Sequence, residues 1–244
     1  MVDRSGIYYD ASRPCDLELL ISRRIKAGAA DLDRVKAAIA EIKLRRLSKY
    51  NHAPMLTRAK LDLAGSADIV LVVDQTFNDA SVTGSGGDEA SFCRMVEAAI
   101  DENPGRLVVV KLHPETVSRA KRGYLFDQSR RENVALIAVA VNVWCLLEMS
   151  CRVYTVSSQL GFEALLADVP VSCFGMPFYA GWGLTDDRRG RPIRRAGDAS
   201  REHIAAAALF DYSTYLDPQT NGALELGDVL ERLAWERLAL LGPG

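Results

Sequence analysis

Hydrophobic and polar positions along the chain follow two successive rhythms. Apolar residues first recur at helical spacing over positions 17–25 and 32–47, and charged residues occupy the opposite face of the second segment. From Ile69 onward, continuous runs of branched aliphatic residues alternate with amphipathic segments. The pattern predicts two N-terminal helices, the first capped by Asp16, followed by alternating strands and helices.

Five of the apolar runs have the length and composition of buried parallel strands. They cover residues 69–73, 107–110, 134–139, 153–156 and 169–174. Because helical segments separate them, we predict an α/β fold in which a Rossmann-like parallel sheet carries helices on both faces. The part of the chain after residue 200 is predicted to be helical.

Composition excludes several functions. Hydrophobic residues make up 48% of the 244 positions and charged residues 25%, as in a globular protein with a real core. The net charge of −2 argues against a nucleic-acid partner. No apolar run is long enough to span a bilayer and the first residues do not resemble a signal peptide, so we expect a cytoplasmic protein. The five cysteines lack CxxC spacing, which argues against disulfides and a zinc site.

Polar residues follow the first strand at the sheet edge where ligands of such folds bind. They are Asp74, Gln75, Thr76, Asp79 and Ser81. A carboxylate in this place can act as a nucleophile, a base or a ribose ligand. The alternative is that both aspartates only cap the loop, since Asp favours turns.

The second and fourth strands are also followed by candidate binding residues. Lys111 and His113 place a cation beside an imidazole, which suits a phosphate, although His113 could also tie down its loop. Ser157 and Ser158 precede a helix, where free N–H groups and the helix dipole favour an anion, although serine is also an ordinary N-cap. Glu163, about one turn later, could reach ribose hydroxyls or serve as a first-turn acid.

Two later segments have a distinctive composition. Residues 175–186, which include Tyr179, are rich in aromatic residues and glycine, so they could stack on a base or sugar ring or form a structural corner. Five arginines between positions 188 and 195 predict a solvated basic loop, with contact to anionic lipid or an acidic sugar as the alternative. The sequence contains no P-loop, GxGxxG, HExxH or GxSxG motif.

In their order along the chain, these segments resemble one family, the bacterial capsule polysaccharide β-Kdo transferases of the KpsC/LipA type. The matching pieces are Gly6-Ile7-Tyr8-Tyr9-Asp10 with Pro14 and Asp16-Leu17-Glu18, Ser48-Lys49-Tyr50-Asn51, Asp74-Gln75-Thr76 with Asp79 and Ser81, Lys111-Leu112-His113-Pro114, Thr155-Val156-Ser157-Ser158 with Gly161-Phe162-Glu163, and residues 173–185. They extend over nearly the whole chain, and the last block is long and unusual.

The resemblance implies a GT-B-like architecture in which the second, Rossmann-like half binds CMP-Kdo and Kdo is transferred with retention. It divides the chain into a helical N-terminal segment, residues 1–66, which would be a remnant of the acceptor-side lobe, and a donor-binding domain, residues 67–244. Family modules normally carry more sequence before residues 6–10, so donor binding is implied more directly than complete catalysis. No cofactor or metal is implied beyond the donor substrate.

The resemblance also assigns roles. Asp79 would be the carboxylate that becomes glycosylated, with Asp74 as the second candidate. His113 would contact the donor phosphate together with Ser157 and Ser158, and Glu163 would hold the ribose. The Kdo carboxylate would need Lys111 or an arginine of the later basic run. The other matching residues expected at the substrate site are Gln75, Thr76, Ser81, Gly161 and Tyr179.

Three functions are consistent with these residues. The first is a retaining transferase that moves Kdo from CMP-Kdo to a glycolipid in capsular polysaccharide synthesis or export, in the cytoplasm or at the inner membrane beside other capsule assembly proteins. The second is a non-catalytic nucleotide-sugar-binding or assembly module of the same machinery. The third is another sugar-nucleotide enzyme of this fold, such as an epimerase.

Overall fold

A computed structural model describes residues 3–28, 32–63, 65, 67–118, 121–125 and 133–241. The helices are α1 Asp16–Ala27, α2 Leu32–Arg45, α3 Ala80–Gly84, α4 Glu89–Asp101, α5 Pro114–Val117, α6 Val143–Leu147, α7 Leu160–Leu166, α8 Arg201–Ala205, which continues into the π-helical turn Ala206–Tyr212, and α9 Leu226–Leu241. The strands are β1 Ile69–Val73, β2 Val108–Lys111, β3 Val134–Ile137, β4 Ser150–Thr155, β5 Val171–Cys173, β6 Asp186–Asp187, β7 Tyr215–Leu216 and β8 Ala223–Leu224. A short 3-10 turn covers Ala59–Leu61.

The main sheet has six strands in the order β3-β2-β1-β4-β5-β6, and each adjacent pair is parallel. The predicted α/β fold is therefore confirmed, with β6 as a short strand that the sequence pattern did not indicate. Strands β2 and β3 lie on one side of β1, and the chain then crosses to the other side of β1, where β4, β5 and β6 follow. Such a reversal of strand order leaves a crevice at the carboxyl ends of the central strands.

Side chains of β1 alternate between two cores on opposite faces of the sheet. Ile69, Leu71 and Val73 enter the larger core, whereas Val70 and Val72 enter a smaller one covered by α4. All five are at most 3% exposed. Burial of this kind contributes about 1.5–3 kcal/mol per large aliphatic side chain and holds β1 rigidly at the centre.

The two N-terminal helices pack on the larger core. Leu17 and Ile21 of α1 and Val35 and Ile39 of α2 are buried there together with side chains of the sheet. Helix α1 contacts the π-helical turn, and α2 contacts α8 and α9. The helices of residues 1–66 thus complete the hydrophobic core around the sheet, while the division into an acceptor-side remnant and a donor-binding domain stays a prediction.

The start of α1 differs from the prediction. Cys15 occupies the N-cap position, and the carboxylate of Asp3 accepts the backbone N–H of Asp16 at 3.2 Å. The Asp16 carboxylate accepts hydrogen bonds from the backbone N–H of Arg4 and the hydroxyl of Ser5 instead. A residue distant in sequence therefore caps the helix, which local sequence does not reveal.

The C-terminal region is not helical throughout, contrary to the prediction. Strands β7 and β8 form an antiparallel hairpin ahead of α9. The carboxylate of Asp217 accepts the backbone N–H groups of Gln219 and Thr220, and Asn221 adopts a left-handed φ of 54°. These Asx-type bonds stabilise a turn in place of a helix. Within the described ranges, none of the helices combines the length and apolar character needed to cross a membrane.

Candidate functional site

A cavity of about 240 Å³ opens where β1, β2 and β4 end. Nine predicted site residues line it: Asp74, Gln75, Asp79, Ser81, Lys111, His113, Ser157, Ser158 and Glu163. Thr76 lines an adjoining groove, to which Asp79 and His113 also contribute. Parallel strands bring their carboxyl ends to one edge, and this explains why segments far apart in sequence meet here.

Asp79 is the partly exposed carboxylate of this site. It is the N-cap of α3, and its Oδ1 accepts the backbone N–H of Ser81 at 2.8 Å. The backbone of Asn78 just before it has a left-handed φ of 62°. Asp79 lines both the cavity and the groove, so one oxygen is held by the cap while the side chain stays accessible to a ligand.

Asp74 has a different environment. It is 1% exposed, and its Oδ1 accepts the backbone N–H groups of Tyr124 at 3.0 Å and Leu125 at 3.1 Å. Oδ2 has no hydrogen-bond partner among the described residues. Burial raises the pKa of Asp74 to about 6, against the lowering influence of these N–H groups and of Lys111. The geometry therefore makes Asp74 an anchor for residues 121–125 and leaves Asp79 as the accessible carboxylate.

Gln75 links the ends of β1 and β4. Its side-chain oxygen accepts the backbone N–H of Ser157 at 2.9 Å, and its amide nitrogen donates to the hydroxyls of Ser157 at 3.1 Å and Ser81 at 3.2 Å. The two serine hydroxyls are 3.4 Å apart. Gln75 therefore positions the hydroxyl groups that line the cavity, while being 3% exposed itself.

The turn after β4 only partly matches the predicted anion site. The backbone N–H of Ser157 is bound by Gln75, that of Ser158 donates to Thr155 Oγ1 at 3.0 Å, and that of Leu160 donates to Ser158 Oγ at 3.3 Å. Side chains of the protein thus already satisfy three of the N–H groups that we expected to be free. The binding capacity of this turn resides more in its hydroxyls than in the helix terminus.

His113 is held in one tautomer by its backbone environment. It caps α5, and its Nδ1 accepts the backbone N–H of Glu115 at 3.2 Å. The proton of the neutral ring must therefore be on Nε2, which lies 3.0 Å from the hydroxyl oxygen of Tyr50. Burial is the main cause that lowers the pKa of His113. The structure therefore favours the neutral ring, which donates through Nε2, and the bond at Nδ1 ties down the loop as one of the two sequence interpretations suggested.

Lys111 and Glu163 lie at the back of the cavity. Lys111 is 6% exposed, and burial lowers its pKa to about 8 although Glu163 and Asp74 oppose that shift. Burial raises the pKa of Glu163, whose Oε1 accepts the backbone N–H of Lys49 at 3.2 Å. Glu163 therefore positions the segment around Lys49, and its contact with a ribose stays a prediction.

Gly161 and Tyr179 do not line the cavity, contrary to expectation. Tyr179 is fully buried, and its hydroxyl donates to the backbone carbonyl of Ser158. A Cβ atom on Gly161 would overlap that hydroxyl. Both residues form the wall behind Ser158, so they support the site without touching a ligand in it.

The basic run is not a solvated loop as a whole. Arg195 is 1% exposed, and its guanidinium binds Glu18 at 2.7 Å and the carbonyl oxygens of Pro177 and Ala180 at 2.6 Å. Arg194 binds the same glutamate at 2.8 Å. Among the described residues that line the cavity, the cationic side chains are Lys49 and Lys111. Of the two alternatives for the Kdo carboxylate, Lys111 lines the cavity and the arginines of the basic run do not, while the contact itself stays a prediction.

Several lining residues were not identified as site residues from the sequence. Tyr8, Tyr9, Lys49 and Tyr50 come from segments before the sheet, and Phe178 follows β5. No local rhythm indicates that residues 8–9 and 48–50 reach the sheet edge. The one signal was their presence in the segments that match the KpsC/LipA family.

Comparisons with known proteins agree with this architecture. Residues 1–215 match the family described as capsule polysaccharide biosynthesis protein. The chain is 40% identical over 238 residues to the capsule polysaccharide modification protein LipA of Neisseria meningitidis serogroup B, a region covering 95% of this chain and 34% of LipA. It is 32% identical over 237 residues to the lipopolysaccharide-processing protein LpsZ of Rhizobium meliloti, covering 97% of this chain and 53% of LpsZ. The chain thus spans about a third to a half of these curated relatives.

Two solved structures have the same fold. The β-Kdo 2,4 transferase of Thermosulfurimonas dismutans KpsC superposes with a TM-score of 0.86 at 38% identity, covering 96% of this chain and 72% of that one. The β-Kdo 2,7 transferase of the same KpsC gives a TM-score of 0.72 at 27% identity, covering 96% and 71%. The predicted GT-B-like architecture is confirmed by these matches. The chain therefore belongs to the capsule polysaccharide biosynthesis family, which includes LipA, and is similar over nearly its whole length to the KpsC β-Kdo transferases.

Proposed function

We propose that this chain forms the donor site of a retaining β-Kdo transferase that uses CMP-Kdo and a glycolipid acceptor in capsular polysaccharide synthesis. The observation that carries the proposal is the position of Asp79, an accessible carboxylate at a cavity that also presents hydroxyls, a neutral histidine and lysines. The similarity of this chain to one described as a β-Kdo 2,4 transferase supports Kdo as the transferred sugar.

Asp79 supplies the nucleophile. An oxygen of its carboxylate attacks the anomeric carbon of Kdo while the bond from that carbon to the phosphate oxygen breaks, and the electron pair leaves with CMP. The product is a glycosyl ester of Asp79. The acceptor hydroxyl then attacks the same carbon from the face that CMP has left, its proton passes to water, and the carboxylate is released. Two displacements at one carbon give net retention.

Hydroxyl groups of the same cavity stabilise the charge on the leaving group. CMP departs as an anion and needs hydrogen-bond donors more than a proton. The hydroxyls of Ser81, Ser157 and Ser158 line this cavity, and the ring of His113 lies at its edge beside Tyr50. The cross-links from Gln75 hold the first two hydroxyls in place before substrate arrives, so little reorganisation is required.

The carboxylate of Kdo requires a cation. Lys111 is buried at the back of the cavity and Lys49 is exposed at its entrance. We assign Lys111 to the anionic groups of the donor, the Kdo carboxylate and the adjoining phosphate, because a buried ammonium gains most from an anion that replaces its lost water. The glycolipid acceptor would place the chain on the cytoplasmic face of the inner membrane beside other capsule assembly proteins.

Replacement of Asp79 by asparagine tests the chemistry. Asparagine keeps the oxygen that caps α3, so the fold and CMP binding should be preserved, whereas transfer from CMP-Kdo to a lipid-linked acceptor should fall by at least about a thousandfold. Asp101→Asn, an exposed change at the end of α4, is the matched control. Mass spectrometry of the wild-type chain with CMP-Kdo alone should detect Kdo attached to Asp79.

Three results would contradict this proposal. Full transfer by the Asp79→Asn variant would exclude Asp79 as the nucleophile. CMP binding by the wild-type chain without turnover would instead identify a non-catalytic nucleotide-sugar-binding module. Preference for UDP-sugars in the same binding experiment would indicate a different sugar-nucleotide enzyme.

A further inference from the structure

Tyr50 is placed at the candidate site by contacts that the reaction scheme above does not use. It lines both the cavity and the adjoining groove, and its hydroxyl oxygen lies 3.0 Å from Nε2 of His113. The two rings meet edge to face with centroids 6.0 Å apart. Tyr50 therefore stands between His113 and any ligand that approaches that nitrogen.

The direction of this hydrogen bond follows from the other side of the imidazole. Nδ1 of His113 accepts the backbone N–H of Glu115 and cannot carry a proton in that arrangement. Nε2 is then the protonated nitrogen and donates to Tyr50. The tyrosine oxygen is the acceptor, so its own O–H points to another partner. Because Tyr50 lines the cavity, a ligand bound there can be that partner.

Other contacts fix the backbone that carries this side chain. The backbone N–H of Tyr50 donates to Ser48 Oγ at 3.2 Å, and the backbone N–H of Lys49 donates to Glu163. Burial, with Glu115, Asp79 and Glu163 nearby, raises the pKa of Tyr50, so the phenol keeps its proton at neutral pH. A fixed, neutral O–H donor that faces a cavity suits a developing anion.

We propose that Tyr50 is a catalytic residue whose hydroxyl donates a hydrogen bond to the phosphate of CMP, and that His113 is a positioning residue that orients this hydroxyl through Nε2. The inference rests on the proposed function and deepens it. It assigns the phosphate contact to a residue outside the sheet and gives His113 an indirect role. The hydrogen bond strengthens as the phosphate gains charge on departure, so the scheme predicts an effect on transfer as well as on binding.

The phosphate group offers a specific test. Calorimetry should compare CMP with cytidine, which lacks the phosphate, for the wild-type chain and for Tyr50→Phe. We expect about a 10- to 100-fold loss of CMP affinity and an unchanged affinity for cytidine, as for one hydrogen bond to a charged group. Tyr215→Phe removes a hydroxyl that donates to the carbonyl of Leu209 and serves as the matched control.

A double-mutant cycle tests the role of His113. If His113 acts through Tyr50, then Tyr50→Phe combined with His113→Asn should weaken CMP binding no more than Tyr50→Phe alone. Additive losses would overturn the positioning role of His113. Thermal unfolding of each variant separates loss of the hydrogen bond from loss of the fold.

The outcomes distinguish this inference from the function on which it rests. Unchanged CMP affinity in Tyr50→Phe, or an equal loss for CMP and cytidine, would overturn the inference alone, because Tyr50 would then be a bystander or a shape-determining residue. Absence of CMP binding by the wild-type chain would overturn the proposed donor site and the inference with it.

Discussion

The hydroxyl group of Tyr179 donates a hydrogen bond to the backbone carbonyl of Ser158, with 2.5 Å between the oxygen atoms. Tyr179 is fully buried and packs against the rings of Phe178 and Phe162. Its hydroxyl passes over Gly161, where a Cβ atom would overlap it. A side chain that never touches the cavity therefore fixes the backbone of a serine that lines it.

Gly161→Ala should disrupt this arrangement. The added methyl group would displace Tyr179 and shift Ser158, and we expect a loss of about 1–3 kcal/mol in the free energy of unfolding together with weaker CMP binding. Urea denaturation and calorimetry measure the two effects. Tyr179→Phe in the same chain should restore part of the stability, because it removes the overlapping oxygen. Gly227→Ala, on the open face of α9, is the control and should be neutral or slightly stabilising. Equal stability of Gly161→Ala and Gly227→Ala would show that Tyr179 can move to accommodate a methyl group on residue 161.

Glu18→Gln should weaken the site from a distance. Glu18 is the carboxylate partner of the buried Arg195, whose guanidinium also holds the carbonyls of Pro177 and Ala180 beside the cavity. Removal of one partner of a buried ion pair leaves an uncompensated charge and costs about 3–5 kcal/mol. Thermal unfolding should show the loss, and CMP affinity should fall with it.

A surface pair provides the control for that experiment. Glu41→Gln breaks the ion pair between Glu41 and Arg45 on α2. Both of these side chains are more than a third exposed. Such i,i+4 pairs contribute only about 0.3–0.5 kcal/mol. A Glu18→Gln variant as stable as Glu41→Gln would mean that the ion pair of Glu18 and Arg195 does not stabilise the segment around Pro177 and Ala180.

Asp74→Asn tests whether Asp74 is a structural anchor or the nucleophile, because an anchor role predicts a specific dependence of stability on pH. The pKa of Asp74 is about 6 in the folded chain against an ordinary 3.8, so the folded chain binds this proton more tightly than the unfolded chain. Its stabilising contribution is complete below about pH 3.8 and is lost as pH rises through about 6. Asparagine keeps the oxygen that accepts from Tyr124 and Leu125 but removes the charge. We expect it to raise the stability at pH 7.5 by up to roughly 2–3 kcal/mol and to give no gain at pH 4.

Urea unfolding at those two pH values measures the effect of Asp74→Asn. The same variant should retain transfer from CMP-Kdo, because the proposed nucleophile is Asp79. A variant less stable than the wild type at pH 7.5, or one without any transfer, would contradict the anchor role.

Lys111 should make donor binding depend on pH in the alkaline range. Burial lowers its pKa to about 8, and only the protonated amine attracts an anion. Between pH 7 and pH 9.5, CMP affinity should fall above about pH 8 by up to about tenfold per unit, since one proton is lost. Titrations across this range should show the decline in the wild type and a flat, weaker profile in Lys111→Met. An unchanged affinity up to pH 9.5 would place the phosphate away from Lys111.

The sequence by itself determined the α/β class, the positions of the main strands and nine of the residues that line the cavity. Apolar runs of the length of buried strands are a local signal, and polar residues directly after such runs must gather at one sheet edge. Asp79, Ser157 and Lys111 were found in this way. The match of spaced segments to one family also predicted Kdo as the sugar and Asp79 as the nucleophile.

Only the tertiary structure decided what each of those residues does. Asp74 and Asp79 have the same chemistry in the sequence, and backbone N–H groups from residues 124 and 125 turn the first into an anchor. Arg195 belongs to a run of arginines that resembles a surface loop, yet Glu18, far away in sequence, accounts for its burial. Burial and long-range hydrogen bonds arise from contacts between distant segments, and no local pattern in the chain contains that information.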